Sequence, residues 1–256
     1  MKASALAILL FIYSIQVLSF DFESMENSES RFNKRQSNRL CTFMSLETMF
    51  PDRQARELAS ASRAGNVKLI TDLVNKGANV NHAGTGECSI LFWAMSNSKG
   101  VEQLLKLKAN PNIIFNDGGS VIHWAVKNKN TSLLKLLIKY GANIELKTGW
   151  FKSTPIFDGI SLFGPMGTLP DTMTTLINAG ANINAIDSSG NTPLLIAAGL
   201  GRFDIVYLLI DLGANHTAVD NNGNSLRIYI NKKRKAFLPG SEHEIWLNKV
   251  SNKFKL

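Results

Sequence analysis

A tetrapeptide recurs along this chain and limits what it can fold into. Gly77-Ala78-Asn79-Val80 returns as Lys108-Ala109-Asn110-Pro111, Gly141-Ala142-Asn143-Ile144, Gly180-Ala181-Asn182-Ile183 and Gly213-Ala214-Asn215-His216, at intervals of 31, 33, 39 and 33 residues. A second marker keeps step with it: Ser89-Ile90-Leu91, Ser120-Val121-Ile122, Thr154-Pro155-Ile156, Thr192-Pro193-Leu194 and a weaker Ser225-Leu226. Two markers in phase at such a period specify a stack of similar units, not a single closed core.

Each unit has the same physical plan. A Thr or Ser can cap a first helix by accepting a bond from a free N–H, and Pro fits the first turn. Leu194, Ala197 and Ala198 then make a short helix whose small residues let a neighbour approach, and Gly201 breaks it. Ile205, Val206, Leu208 and Leu209 carry a second helix with apolar positions at helical spacing. Gly213 can end that helix in a left-handed backbone, and Ala214-Asn215 begins the turn to the next unit.

This pattern resembles the ankyrin repeat, most clearly in Asp187-Ser-Ser-Gly-Asn-Thr-Pro-Leu-Leu-Ile-Ala-Ala198, over about residues 52–230. The resemblance implies an all-α solenoid of five helix-turn-helix repeats with inter-repeat β-turns and modified end units. One helical pair cannot bury both its faces, so neighbours must stack and the ends must be capped. The first repeat, from Asp52, lacks the Thr-Pro signal but keeps Leu58, Ala61 and Gly65. The second is short near Ser98-Lys99-Gly100, and Lys108 stands where a helix-ending glycine is expected. The fourth carries an insertion, Phe163-Gly-Pro-Met-Gly-Thr-Leu-Pro170, between its helices.

The ends read differently. Met1-Lys2 followed by an apolar run from Ala5 to Leu18, with small residues at Val17 and Ser19, has the form of a signal peptide over residues 1–19. The run falls short of the roughly 20 apolar residues of a membrane span, and no stable anchor is expected. Residues 20–51 read as a flexible leader, 52–219 as repeats and 220–256 as a C-terminal capping segment built on a helix around Glu244–Val250. The formal charge is +8, of which the segment from Asp220 carries eight Lys/Arg against three Asp/Glu. Its run Lys232-Lys233-Arg234-Lys235 reads as a solvated loop and not as a nucleic-acid contact. Export would place Cys41 and Cys88 where a disulfide can form, joining the leader to a repeat turn, although two unpaired thiols fit the sequence equally.

Nothing in the residues points to catalysis or a cofactor. The four histidines, His82, His123, His216 and His243, are scattered, and no Cys/His spacing matches zinc. No phosphate loop or nucleophile elbow is present. His123 takes the histidine place of the Thr-Pro-Leu-His pattern, where it is expected to bond to the backbone of the adjacent turn.

Work therefore falls to the surface. In a stack of this kind the turns and the exposed faces of the first helices line a groove, and here those positions are aromatic. Trp93 and Trp124 share one slot, which either faces the groove or fills the core. Phe115, Asn116 and Asp117 form one turn tip, Trp150, Phe151 and Lys152 the next, and Phe163 lies in the insertion. Aromatics with a few charges suit a binding centre, offering contact area at little entropic cost.

The mature chain further resembles exported bacterial ankyrin proteins that serve as immunity partners of type VI secretion phospholipase effectors. The residues carrying this are Met44-Ser-Leu-Glu-Thr-Met-Phe-Pro-Asp52, Leu91-Phe-Trp-Ala-Met95, Asp117-Gly-Gly-Ser-Val-Ile-His-Trp-Ala125, Ala198–Tyr207 and Trp246–Val250. It implies a periplasmic, non-catalytic protein, monomeric when free, that inhibits a secreted phospholipase. A periplasmic adaptor or stress protein, or a secreted effector that meets host proteins, are the alternatives.

Overall fold

A computed structural model describes residue 41 and residues 44–161 and 164–255. The expected signal peptide and most of the expected leader lie outside these residues.

Helices come in pairs, as the two markers require. After α1 (Leu46–Met49) the pairs are α2 (Arg53–Ala64) with α3 (Val67–Asn75), α4 (Ile90–Trp93) with α5 (Ser98–Lys106), and α6 (Val121–Lys127) with α7 (Thr131–Lys139). There follow α8 (Pro155–Asp158) with α9 (Asp171–Asn178), α10 (Pro193–Leu200) with α11 (Phe203–Asp211), and α12 (Leu226–Arg234) with α13 (Glu242–Phe254). The described fold is all-helical; between pairs the chain makes hairpin turns closed by single antiparallel bridges, such as Ile114 with Ser120 and Thr148 with Ser153.

The local chemistry explains the boundaries. Ser89 and Thr192 accept the N–H of the residue three further on, as a helix cap should. Ser120 does not: its hydroxyl turns instead to His123 Nδ1, 2.8 Å away. Lys108 adopts a left-handed φ of 71°, doing with a lysine what Gly213 does at φ 95°. In the short second repeat the helices approach closely at Gly100, where an added Cβ would stand 1.8 Å from the Ser62 carbonyl oxygen. Only glycine permits α5 to lie that close to α2.

Neighbouring pairs are tied along the turns by side chains that alternate in duty. Asn79, Asn110, Asn143, Asn182 and Asn215 each accept the N–H two residues on, fixing the turn. Asn81, Asn112 and Asn184 reach to the next unit, each accepting a backbone N–H there at 2.7 Å. Glu145, one carbon longer, takes this role ahead of the fourth repeat and accepts Asn182 N–H, also at 2.7 Å. The longer arm stands where the repeat is longest.

Both ends differ from the sequence reading. The leader was expected to be loose through residue 51, yet α1 packs on the first repeat with Met49 and Phe50 fully buried. Thr85 Oγ1 donates to the Thr48 carbonyl at 2.8 Å, and Cys41 is bonded to Cys88 with Cα atoms 5.6 Å apart. The run Lys232–Arg234, expected in a loop, forms the last turn of α12. Leu226 and Ile230 bury one face of that helix, and the cations gather at its C-terminal end, where the helix dipole favours them. The cap is thus a whole helical pair.

Candidate functional site

Aligning the first helices on the buried residues Ala61, Ala94, Ala125, Gly159, Ala197 and Ile230 places the residue before each in the same slot: Ser60, Trp93, Trp124, Asp158, Ile196 and Tyr229. Apart from exposed Ser60, all are half-buried, in contrast to their fully packed neighbours Ala94, Ala125 and Ala197. Both tryptophans therefore pack partly into the core and keep part of the side chain in solvent. Trp93 meets Phe50 edge-on at 6.3 Å and carries the Arg63 guanidinium 4.7 Å above its ring. Trp124 meets Phe92 edge-on at 5.5 Å. Each shows only part of its ring to solvent.

The turn tips divide. Phe115 is 2% exposed and packs edge-on against Phe92 at 5.0 Å, so this expected contact residue belongs to the core. The reason is phase: it stands where Thr148, Asp187 and Asp220 stand in later turns, and that position points into the stack. Asn116 and Asp117 are exposed, but each has structural work. Asn116 N–H donates to the Gly86 carbonyl at 3.0 Å, and Asp117 Oδ1 accepts Gly119 N–H at 2.7 Å.

The next tip projects. Trp150 is 78% and Phe151 42% exposed, with Lys152 beside them in a left-handed conformation. Their backbone is held all the same: Thr148 and Ser153 exchange N–H···O bonds, and the Phe151 carbonyl accepts Ser188 N–H at 2.7 Å. Large rings on a fixed turn are preorganised for contact. Further along the hairpins, Ile114, Ile186 and Val219 are also exposed, at 45%, 54% and 53%. Alignment of the turns could have shown this row, since all three precede the inward-pointing position. Phe163 lies outside the described residues.

The described residues of the insertion, from Gly164 on, are pinned. Arg202 Nη1 donates to the Ser161 carbonyl at 2.7 Å and Nη2 to the Pro165 carbonyl at 3.2 Å. Gly167 N–H donates to Asp204, and an added Cβ at Gly167 would stand 2.9 Å from the Trp246 ring.

Two titratable groups, buried His123 and half-buried Asp158, shape the pH response. His123 bonds Ser120 Oγ through Nδ1, while Nε2 lies 3.2 Å from both the Ser153 carbonyl and Thr148 Oγ1. Burial pushes its pKa down to about 4 despite the bond to Ser153. Asp158 moves the other way: burial raises its carboxyl to about 6, only partly countered by the charge of Lys127. A histidine held neutral in the fold costs stability as pH falls from about 6.5 towards 4, whereas a carboxyl raised in the fold recovers stability as pH falls from 6 towards 3.8. The two oppose. Asp158→Asn should therefore steepen the acid loss between pH 6.5 and 4, by on the order of 2–3 kcal/mol. Urea melts at pH 7, 5.5 and 4.5 test this, and parallel curves for variant and wild type would count against it.

Two models of ankyrin repeats match the chain, one describing three copies over residues 58–148 and one describing many copies over residues 170–225. The chain belongs to the ankyrin-repeat family, whose fold typically serves as a non-catalytic protein-interaction module. It is 28% identical to Protein PhlB of Serratia liquefaciens over 121 residues, 46% of this chain and 51% of that protein. It is 24% identical to the putative ankyrin repeat protein FPV031 of Fowlpox virus, over 59% of this chain and 46% of that one. The chain thus spans about half the length of these two relatives. A crystal structure of an ankyrin repeat domain from Acinetobacter baumannii AYE superposes with a TM-score of 0.61 at 22% identity, covering 74% of this chain and 95% of that one. Among the described residues no group of three or more His, Cys, Asp or Glu could hold a metal ion, and no helix is long and apolar enough to cross a membrane.

Proposed function

We propose that this chain is an exported immunity protein that binds and inhibits a secreted phospholipase, the type VI effector of the resemblance above. The observation that carries the binding role is the Trp150–Phe151 tip, two exposed rings on a hydrogen-bonded turn. Rigid aromatics of this kind are the usual anchors of a tight interface. Export is supported by two independent features, the apolar N-terminal run and the Cys41–Cys88 disulfide, which persists in oxidising compartments such as the periplasm. The likeness to Protein PhlB adds a bacterial relative. Inhibition needs no chemistry here: a stack laid over an enzyme's entrance excludes its lipid.

The test is to co-express the chain with a secreted phospholipase whose gene adjoins its own and to assay lipid hydrolysis. A complex on size exclusion with activity abolished is expected. Undiminished activity and no complex would overturn the reading in favour of an adaptor or a secreted effector, which cell fractionation separates. Trp150→Ala with Phe151→Ala should weaken the complex at least a hundredfold, a hot-spot loss of about 3 kcal/mol. Stability should change by less than about 0.5 kcal/mol, as for exposed positions generally. A large drop in melting temperature would show that these rings serve the fold.

A further inference from the structure

The first helices carry a second row, one turn beyond the aromatic slot, and its charges are of one sign. Arg63, Lys127 and Lys232 occupy it, all exposed; the other positions are Ser96, Ser161 and Gly199. Two of the cations are set against the neighbouring rings. Arg63 lies 4.7 Å above Trp93, and Lys232 lies 5.9 Å from the Tyr229 ring centroid. Lys127 faces Asp158, the sole acid of the two rows, whose carboxyl is half-buried and held partly neutral by that burial.

From this charge pattern we infer that the partner lays an acidic, aromatic-bearing segment along the first-helix face. Its carboxylates meet Arg63, Lys127 and Lys232, and its apolar side chains cover Trp93 and Trp124. Cations seated beside rings are already oriented and lose little freedom on pairing, and charge complementarity of this kind sets partner choice and the rate of encounter. The spacing is a further constraint. Packed helices lie about 8–10 Å apart, so Arg63 and Lys127, two units apart, are separated by about 20 Å. An extended chain rises about 3.3 Å per residue, which calls for carboxylates six or seven residues apart. The inference rests on the chain being a protein-binding stack and does not require the partner to be a phospholipase.

A phage-displayed library of random dodecapeptides, selected on the immobilised mature protein, tests it. Enriched peptides should carry two or more Asp/Glu at six- or seven-residue spacing with an aromatic between them. A synthetic copy of the leading peptide, followed by fluorescence polarisation, should bind at least tenfold more weakly to Lys127→Glu and more weakly in 0.5 M salt. Asp158→Asn, which removes the one opposing acid, should bind it more tightly. Lys135→Glu, on the second helix of the same repeat, should leave binding and melting temperature unchanged. Enrichment of basic or uncharged peptides would overturn the inference while leaving the protein-binding role standing. Failure to enrich any peptide would overturn the inference and weigh against that role, and the phospholipase assay decides the role separately.

Discussion

Replacing Cys41 and Cys88 together with alanine is expected to lower the free energy of unfolding by about 4 kcal/mol. The bridge closes a chain segment of 47 residues, and a loop of that length gives a loss of about this size on the chain-entropy account of disulfides. The segment it closes matters. It contains α1, and Met49 and Phe50 at the end of that helix are fully buried over the first repeat, which starts from Asp52 with neither the Thr-Pro nor the Ser marker of the later units. Gly84 lies so close to this flank that an added Cβ would stand 2.5 Å from the Met49 carbonyl oxygen. The flank is therefore the terminal cap that a stack of repeats needs, and the disulfide fastens it. Denaturant melts of the wild type and of the double variant measure the difference. The same shift should appear when the wild type is melted with and without reductant. A loss below 1 kcal/mol would show that α1 holds its place without the bond.

How much of this was legible in the sequence depended on whether a residue belonged to the period. Gly213, Thr192 and the paired helices follow from spacing alone, because the repeat imposes the same backbone at each recurrence. Asn81, Asn112 and Asn184 keep that period too, but Glu145 breaks the identity, and the bridging role appears only when distances are available. At Phe115 chemistry alone misleads, since an aromatic at a turn suggests contact. Its register with Asp187 and Asp220 was the better guide, pointing inward regardless of residue type. At the ends, what escaped was α1 and the helical nature of the basic run, not the C-terminal cap itself. α1 has four residues, too few to establish a helical period, and the basic end of α12 concealed the burial of Leu226 and Ile230 four residues apart. Trp150 was legible for the opposite reason: nothing in the stacking plan asks for a tryptophan there.

The other large effect is expected at Arg202. The side chain is 2% exposed and forms a two-pronged pair with fully buried Asp204, Nε to Oδ1 at 2.9 Å and Nη2 to Oδ2 at 2.7 Å. Burial alone would raise the Asp204 carboxyl. The bonds from Arg202 and from Gly167 N–H outweigh burial and hold it below the ordinary carboxylate range, so the pair is charged at neutral pH. Two of the remaining guanidinium hydrogens go to the carbonyls of Ser161 and Pro165. One buried charge pair thus holds the chain before and within the fourth repeat's insertion to the start of α11. Arg202→Met should cost about 3–5 kcal/mol, since it strands a buried carboxylate and frees the loop together. Arg202→Met with Asp204→Leu should recover part of that loss, because removing both charges also removes the cost of burying them. The two effects separate by limited proteolysis. Both variants lose the clamp and should be cut first within residues 161–170, whereas only the single variant carries the full loss of stability. If Arg202→Met resists cleavage there and melts within 1 kcal/mol of the wild type, the insertion is held by its contact with Trp246 and not by the buried pair.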